Sequence, residues 1–285
     1  MRAASHKPEG TCLNKTLCAI RCTLYASIFL SGCSLNRTAA RVTSDVIDKG
    51  LPAVFSQADW QYAKEALPAN LQLMEILLEN DPGNKTLLIN AAQGFCGYAL
   101  LFLEEESPER ASAFYLKGRS FAVRALDGAT ARTAKKTDAP ALFWATFCRA
   151  SRININRDDP EAIAELPSLE PAALKLLQLD PGYYYNGAQS ILGAYYAIRP
   201  RMLGGSPEKA KEYFELALKG GGEKFLMNRY MYASMAAVAA QDQELFAEQL
   251  NYVIAAEPRE GVTRLADEVA KIKAKKLLEE KDELF

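Results

Sequence analysis

Histidine is almost absent from this chain, which has a single such residue, His6, among 285. His6 lies in an N-terminal segment that we expect to be removed, so the mature chain has no imidazole to act as a general base or to bind a metal ion. No Ser-His-Asp arrangement can form either. We therefore predict a protein that is not an enzyme, with no metal site and no cofactor.

An excess of positive charge is also lacking. The chain has 34 Lys and Arg residues against 35 Asp and Glu residues, a net charge of −1. Four of those basic residues and one acidic residue lie in the N-terminal segment, so the mature chain has a net charge of about −4. Because nucleic acid is bound by clustered basic residues, we expect no nucleic-acid partner.

The N-terminus has no apolar run long enough to cross a bilayer, which needs about 20 residues. Four basic residues precede the short apolar run 22–30, and Leu30-Ser31-Gly32-Cys33 follows it. This order matches a lipobox, in which the cysteine thiol receives a diacylglyceryl group. We predict a lipoprotein signal peptide over residues 1–32, lipidation of Cys33 and a polar tether over residues 33–44. An ordinary cleaved signal peptide with a chance cysteine is the alternative.

Free cysteine is scarce in the mature chain. Of six cysteines, three leave with the signal peptide and Cys33 is acylated, which leaves Cys96 and Cys148. The periplasm permits a disulfide between them. Each lies in an apolar helical stretch, however, so we expect two separately buried thiols.

Alternating polar and apolar residues, the pattern of a strand, are missing after Thr43. Apolar residues recur instead three and four positions apart, which predicts an all-α fold. Residues 77–83 return as 176–182, and residues 107–111 return as 206–210, both at an offset of 99. Each copy has an Asp-Pro-Gly helix end and a Ser-Pro-Glu helix start. We predict TPR-like helical hairpins stacked into one right-handed helical-repeat domain over residues 45–285, with a C-terminal capping helix.

The segment 183–214 carries a family resemblance. It contains three tyrosines, an asparagine, an Arg-Pro pair and a Gly-Gly-Ser-Pro turn, at Tyr183–Tyr185, Asn186, Arg199-Pro200 and Gly204–Pro207. This pattern resembles the TatT family of lipoproteins, which are associated with tripartite ATP-independent periplasmic (TRAP) transporters. The resemblance implies TPR-like hairpins, a homotrimer and a partnership with the transporter's periplasmic solute-binding protein. It also implies a cleft or pore for a small ligand, and leaves open whether that ligand is apolar.

Trp144, Tyr184, Tyr185 and Asn186 are the first candidate ligand contacts. Aromatic side chains at helical spacing can line a pocket, although they more often fill a core. The amide of Asn186 offers both a donor and an acceptor to a ligand. Capping of a helix N-terminus would also explain that asparagine.

Arg199, Arg201, Gly204 and Gly205 are the second candidate set, for a ligand or a partner. The two arginines flank a proline that must end a helix, and the two glycines permit a sharp turn after it. The guanidinium groups could bind a carboxylate of a ligand or acidic residues of a partner. They could instead satisfy the carbonyl groups at the end of the preceding helix.

Binding without catalysis is the function that these observations favour. We expect a periplasm-facing accessory lipoprotein of a TRAP transporter that docks the solute-binding protein, with an envelope TPR adaptor unrelated to transport as the alternative. Ser34 favours the outer over the inner membrane by the sorting rule of some bacteria. Two acidic clusters, Glu104–Glu106 and Asp158–Asp159, contain paired carboxylates, which can in principle perform glycoside hydrolysis. Both lie at predicted helix ends, so we expect them to be solvated.

Overall fold

The computed structural model describes residues 35–257 and 259–285, and no strand occurs among them. The all-α prediction is confirmed. Helix α1 spans 35–55. The further helices are α2 (Trp60–Asn80), α3 (Lys85–Tyr98), α4 (Pro108–Leu126), α5 (Ala139–Ile155), α6 (Pro160–Ala164), α7 (Leu169–Leu179), α8 (Tyr183–Ile198), α9 (Pro207–Ala217), α10 (Leu226–Met231), α11 (Val238–Ala240), α12 (Gln243–Ala255), α13 (Arg264–Glu279) and α14 (Lys281–Leu284).

Two of these helices are extended by π-helical segments. Ala99–Leu103 continues α3, and Tyr232–Ala237 joins α10 to α11. A π-helical turn is wider than an α-helical turn and often occurs at functional sites. At each π-helical segment, the side chains therefore point in directions that differ from those of a continuous α-helix.

Residues 35–44, which we predicted to be part of a polar tether, are helical and begin α1. Arg37 and Arg41 donate from Nε to the carboxylate of Asp81, over 2.7 and 2.9 Å. Burial would raise the pKa of Asp81, but these two charged hydrogen bonds outweigh it and lower that pKa. The first turns of α1 are thus fixed to the α2–α3 turn. The predicted signal peptide and Cys33 lie outside the described residues.

The two copies of the repeat occupy equivalent positions in the fold. Asp81-Pro82-Gly83 joins α2 to α3, and Asp180-Pro181-Gly182 joins α7 to α8. Pro108 then begins α4 and Pro207 begins α9, each after a serine. Asp-Pro-Gly ends a helix because proline removes the next backbone donor. The repeat therefore consists of three successive helices, α2–α4 and α7–α9.

Helix α5 lies at the centre of the molecule. It packs against α3, α4, α7 and α8, and Phe143, Trp144, Cys148 and Ile153 are each fully buried in it. A second, smaller core joins α10, α12 and α13 around Phe246 and Leu250. Helix α13 thus packs against α10 and α12, two of the helices that precede it.

One helical stretch, Lys85–Leu103, is long and apolar enough to cross a membrane by length and composition alone. Inside the protein, however, 61% of that window is buried. Leu87, Ala91 and Phe95 belong to the main core. This stretch is therefore a core helix of the folded domain.

The prediction of two separate thiols is wrong. Cys96 of α3 and Cys148 of α5 form a disulfide, and their Cα atoms lie 5.6 Å apart, within the usual range. Both sulfur-bearing residues are fully buried. Helical periodicity predicted that each faces the core, but it carries no information about which helices are neighbours.

We expect the double variant Cys96→Ala/Cys148→Ala to have a free energy of unfolding about 4 kcal/mol lower than the wild type. In the wild type the disulfide joins residues 52 positions apart and so restricts the conformations of the unfolded chain, and the variant lacks this restriction. Urea denaturation followed by circular dichroism measures this difference. As a control, the wild type treated with reductant should approach the stability of the variant. Two free thiols, detected by alkylation of the unreduced, unfolded wild type, would contradict the pairing.

Candidate functional site

A cavity of about 150 Å³ lies in the middle of the helix assembly. Its walls are almost entirely apolar and come from α3, α5, α8 and α10 with their π-helical segments, and from α1, α2 and α13 at the edges. One water needs about 10–15 Å³ measured in this way, so the cavity has room for on the order of ten atoms of that size. This is enough for a small organic molecule.

Both π-helical segments face the cavity. Leu100 and Leu101 of the first segment and Met235 of the second contribute to its wall. The wider π-turn offsets these side chains from the rows that an uninterrupted α-helix would produce. The cavity therefore lies where two helices depart from regular geometry.

An aromatic cluster forms one side of the cavity. The Tyr184 ring contacts the edge of Trp144 at a centroid distance of 4.8 Å, and it also contacts Phe143 at 5.3 Å. Tyr185 stacks on Phe225 at 4.9 Å. The structure thus brings three of the predicted contacts, Trp144, Tyr184 and Tyr185, to one wall.

Polar groups are few in this wall. The Nε1 atom of Trp144 is buried and has no hydrogen-bond partner with good geometry. Gln93, Ser151, Ser190 and Asn228 also border the cavity. A buried donor without an acceptor is uncommon in folded proteins, and this one is free to meet an acceptor atom in the cavity. The site can therefore bind an apolar molecule and orient it through one or two hydrogen bonds.

The tyrosines stay neutral at physiological pH. Burial raises the pKa of Tyr184, and the neighbouring Tyr185 and Tyr183 raise it further. Burial also raises the pKa of Tyr183 to about 12, against a smaller opposing effect of the Trp144 side chain. This wall consequently presents rings and hydroxyl groups, with no charge.

Three consecutive residues at the start of α8 have left-handed backbone conformations. The φ angles of Tyr184, Tyr185 and Asn186 are 47°, 58° and 61°. A left-handed residue other than glycine costs about 1–2 kcal/mol, and asparagine tolerates it best. Runs of such residues are rare, and strain of this kind is concentrated at functional sites. We call residues Tyr184–Asn186 the left-handed turn.

Hydrogen bonds from two buried asparagines hold the left-handed turn. Asn186 donates from Nδ2 to the carbonyl oxygens of Ala217 and Lys219, at and just beyond the end of α9. Asn228 donates from Nδ2 to the carbonyl oxygen of Tyr185, over 2.8 Å. Asn186 is therefore not a helix N-cap, since it satisfies carbonyl groups left unpaired at the C-terminal end of a helix.

Comparison with known proteins decides the family. The model of the TRAP transporter T-component (TAtT) matches residues 56–285. The chain belongs to this family. A relative from Treponema pallidum (strain Nichols), described as an uncharacterized protein, is 23% identical over 288 residues, which cover 83% of this chain and 88% of that one. The T-component is thus an accessory part of a TRAP transporter, which is a cell-envelope system.

The second candidate set of this T-component does not reach the cavity. The Arg199 guanidinium donates to the Tyr195 hydroxyl and lies over that ring, 4.8 Å from its centroid. Arg201 forms an exposed ion pair with Glu208 at 3.1 Å. Neither arginine has an acceptor among the last carbonyl groups of α8. These side chains brace the turn between α8 and α9.

Gly204 and Gly205 have a backbone role in the same turn of the T-component. Gly204 has a φ of 90°, and a Cβ atom at Gly205 would lie 1.8 Å from the carbonyl oxygen of Arg199. Only glycine fits at the second position without a backbone shift. The turn exposes Met202, which is 90% accessible.

The expectation that both acidic clusters are solvated is wrong for Glu104. The buried Tyr115 hydroxyl donates to this carboxylate over 2.6 Å, and burial raises the pKa of Glu104. Glu105 instead pairs with Lys273 and Lys276 of α13, at 2.9 and 2.8 Å. Asp159 of the second cluster caps α6 by accepting from the Glu161 amide. These acids of the T-component hold helices together.

A further buried acid lies behind the left-handed turn. Asp267 of α13 accepts from the Leu226 amide over 2.9 Å, which caps α10, and burial raises its pKa to about 6. In the described part of the T-component, no group of three or more His, Cys, Asp or Glu residues could hold a metal ion.

Several wall residues of the T-component cavity carry no signal in the sequence that predicts their place. Gly97, Gln93 and Asn228 lie in helices without any local motif, and their proximity depends on how α3, α8 and α10 pack. The only sequence signal was the density of aromatic residues near Trp144 and Tyr184. Helix packing decides the rest.

Proposed function

We propose that this T-component is a non-enzymatic, lipid-anchored lipoprotein that faces the periplasm, docks the TRAP solute-binding protein and holds a small apolar ligand in its central cavity. Its helices form TPR-like hairpins in a right-handed stack, and three copies assemble into a homotrimer. The observation that carries the proposal is the apolar cavity, with Trp144, Tyr184 and Tyr185 on one wall.

The chemistry of the wall supports a ligand with an aromatic or aliphatic body. Rings and aliphatic side chains surround it, which favours burial of apolar surface. The Trp144 indole offers a hydrogen bond to one acceptor atom of the ligand. The neutral tyrosines give no cation or anion to balance a buried charge, so an uncharged ligand or part of a ligand fits best.

Gly97→Leu tests ligand binding. A Cβ atom at Gly97 would have no other atom within 4 Å, and this residue lines the cavity, so a larger side chain fills the cavity without a clash. With 1-aminonaphthalene as a fluorescent apolar probe, we expect the dissociation constant to rise by at least about tenfold. The measurement is equilibrium fluorescence titration of the purified protein.

The matched control is Gly50→Leu. Gly50 also lies in a helix with no atom within 4 Å of a Cβ atom, but it is exposed on α1. This variant should bind the probe as the wild type does. Equal affinity in the wild type and in Gly97→Leu would contradict the cavity as the binding site.

Lipid anchoring is proposed at Cys33, two positions before the start of α1. Two extended residues span at most about 7 Å, so the first turn of α1 would lie close to the membrane surface. Leu35, Val42 and Val46 are 69%, 60% and 66% exposed on this helix. An exposed apolar face next to an acyl anchor suits the interface of a bilayer. Ser34 leads us to propose the outer membrane.

Replacement of Cys33 by Ser should release the protein into the soluble periplasmic fraction, because the acyl chains can no longer be attached. Ser34→Ala is the control and should stay with the membrane. Immunoblots of separated soluble and membrane fractions measure the distribution. Retention of Cys33→Ser in the membrane fraction would count against anchoring through this residue.

Docking of the solute-binding protein is proposed at the turn between α8 and α9. This turn exposes Met202 and Leu203, which are 90% and 57% accessible, beside Arg199 and Arg201. Exposed apolar side chains with arginines nearby have the composition of a protein interface. Gly204 and Gly205 hold the turn in place.

Met202→Asp should weaken binding of the solute-binding protein of the same transporter by at least about tenfold, because it buries a charge in an apolar contact. Val123→Asp is the control, since Val123 is an exposed apolar residue on α4. Analytical ultracentrifugation measures this affinity. Binding that is unaffected by Met202→Asp would contradict docking at this turn.

The same method measures the size of the T-component alone, for which we expect a trimer. A monomer would contradict the proposed homotrimer.

A further inference from the structure

An open groove lies next to the central cavity. It has a volume of about 490 Å³ and is bordered by Gly182, Gly220–Gly222 and the exposed Lys224. Its remaining border is the left-handed turn, Tyr184–Asn186. Tyr184 and Tyr185 border the cavity as well. The left-handed turn is therefore the partition between the open groove and the apolar cavity.

The contacts that hold this partition come from its two sides. On the groove side, the Asn186 amide binds the carbonyl oxygens of Ala217 and Lys219. On the cavity side, the Tyr185 ring stacks on Phe225, and the Asn228 amide binds the carbonyl oxygen of Tyr185. Without these contacts, three left-handed residues would relax to the right-handed region, which L-residues prefer.

Glycines border the partition on both sides. Gly182 lies two positions before it, and Gly187 follows it and packs directly against the Phe143 ring. On the opposite rim of the groove, Cβ atoms at Gly220 and Gly221 would have no other atom within 4 Å. A movement of the left-handed turn towards Gly220 and Gly221 thus meets no side chain, whereas the Asn186 amide is already close to Gly222, where a Cβ atom would lie 2.7 Å from its Nδ2 atom.

We propose that the groove is the entrance to the cavity and that the left-handed turn is its gate. In the closed state the two asparagines and the Tyr185–Phe225 stack hold the turn. In the open state the turn relaxes, and an apolar molecule passes between the groove and the cavity. Tyr184 and Tyr185 then set the size of molecule that passes. This proposal rests on the proposed ligand binding in the cavity.

A second opening exists as a rival route. Val262, in the segment before α13, lines the cavity and is 47% exposed. Val262 itself has no positive φ, although the neighbouring Gly261 does. Among the described residues, no pair of side-chain amides holds the backbone at Val262 as Asn186 and Asn228 hold the left-handed turn. The two routes predict different kinetics, so one experiment separates them.

Stopped-flow fluorescence with 1-aminonaphthalene tests the gate in the full-length protein. Asn186→Ala removes the hydrogen bonds to α9, so we expect the association and dissociation rate constants to rise together by at least about tenfold, with the dissociation constant changed less than about threefold. Tyr185→Ala removes the stack on Phe225 and should act in the same direction. It serves as the second variant if Asn186→Ala does not fold, as judged by circular dichroism.

Val262→Trp tests the rival opening, and Val123→Trp, at an exposed apolar residue of α4 outside the cavity wall, is the control that should leave both rate constants unchanged. A rise in the dissociation rate constant alone would overturn the gate, because it would make the turn an ordinary part of the binding wall. Slower rates in Val262→Trp, with unchanged rates in Asn186→Ala, would also overturn it and assign entry to the other side.

The same data separate this proposal from the one on which it rests. Suppose that Gly97→Leu abolishes probe binding but that Asn186→Ala and Tyr185→Ala leave both rate constants unchanged. This result overturns the gate and leaves ligand binding in the cavity intact. No saturable binding in the wild type overturns ligand binding in the cavity, and the gate with it.

Discussion

The side-chain amide of Asn186 makes the interaction on which the candidate site depends. It binds carbonyl oxygens at the end of α9 while its own backbone has a φ of 61°. Carbonyl groups at a helix C-terminus have no partner within their helix, so the amide satisfies groups that need a donor. In return, α9 holds the left-handed turn in a conformation that its residues would not adopt alone. Tyr184 and Tyr185 reach the cavity wall as a result.

The cavity exists because several helices depart from regular packing at the same place. The segments Ala99–Leu103 and Tyr232–Ala237 are π-helical, and the left-handed turn interrupts the start of α8. Around it, fully buried side chains of α5 and the Cys96–Cys148 disulfide keep α3 and α5 together. A close-packed protein with an apolar cavity of this size gives up packing contacts, which points to a molecule that replaces them.

The sequence was sufficient to predict the elements and the turns between them. Helical periodicity predicted the all-α fold, and the repeated Asp-Pro-Gly and Ser-Pro motifs predicted where α3, α4, α8 and α9 begin. These features are local, because a proline or a capping serine acts on its own few residues. The aromatic density near Trp144 and Tyr184 likewise predicted part of the cavity wall.

What could not be predicted depends on contacts between distant residues. Cys96 and Cys148 are 52 positions apart, and only the packing of α3 on α5 brings them together. The helical start of the described chain is fixed by Asp81, which lies 44 positions after Arg37. The positive φ of Tyr184 and Tyr185 contradicts the preference of tyrosine and is held by Asn186 and Asn228. Arg199 and Arg201 were predicted either to bind a ligand or partner or to satisfy the last carbonyl groups of the preceding helix. In the structure their partners are instead the side chains of Tyr195 and Glu208.

The most direct test of a ligand in the cavity is mass spectrometry of an organic extract from the T-component purified out of its own cell envelope. We expect one small apolar compound, at close to one molecule per chain, in the wild type and its loss in Gly97→Leu. No such compound in the wild type, or equal amounts in the two proteins, would contradict it.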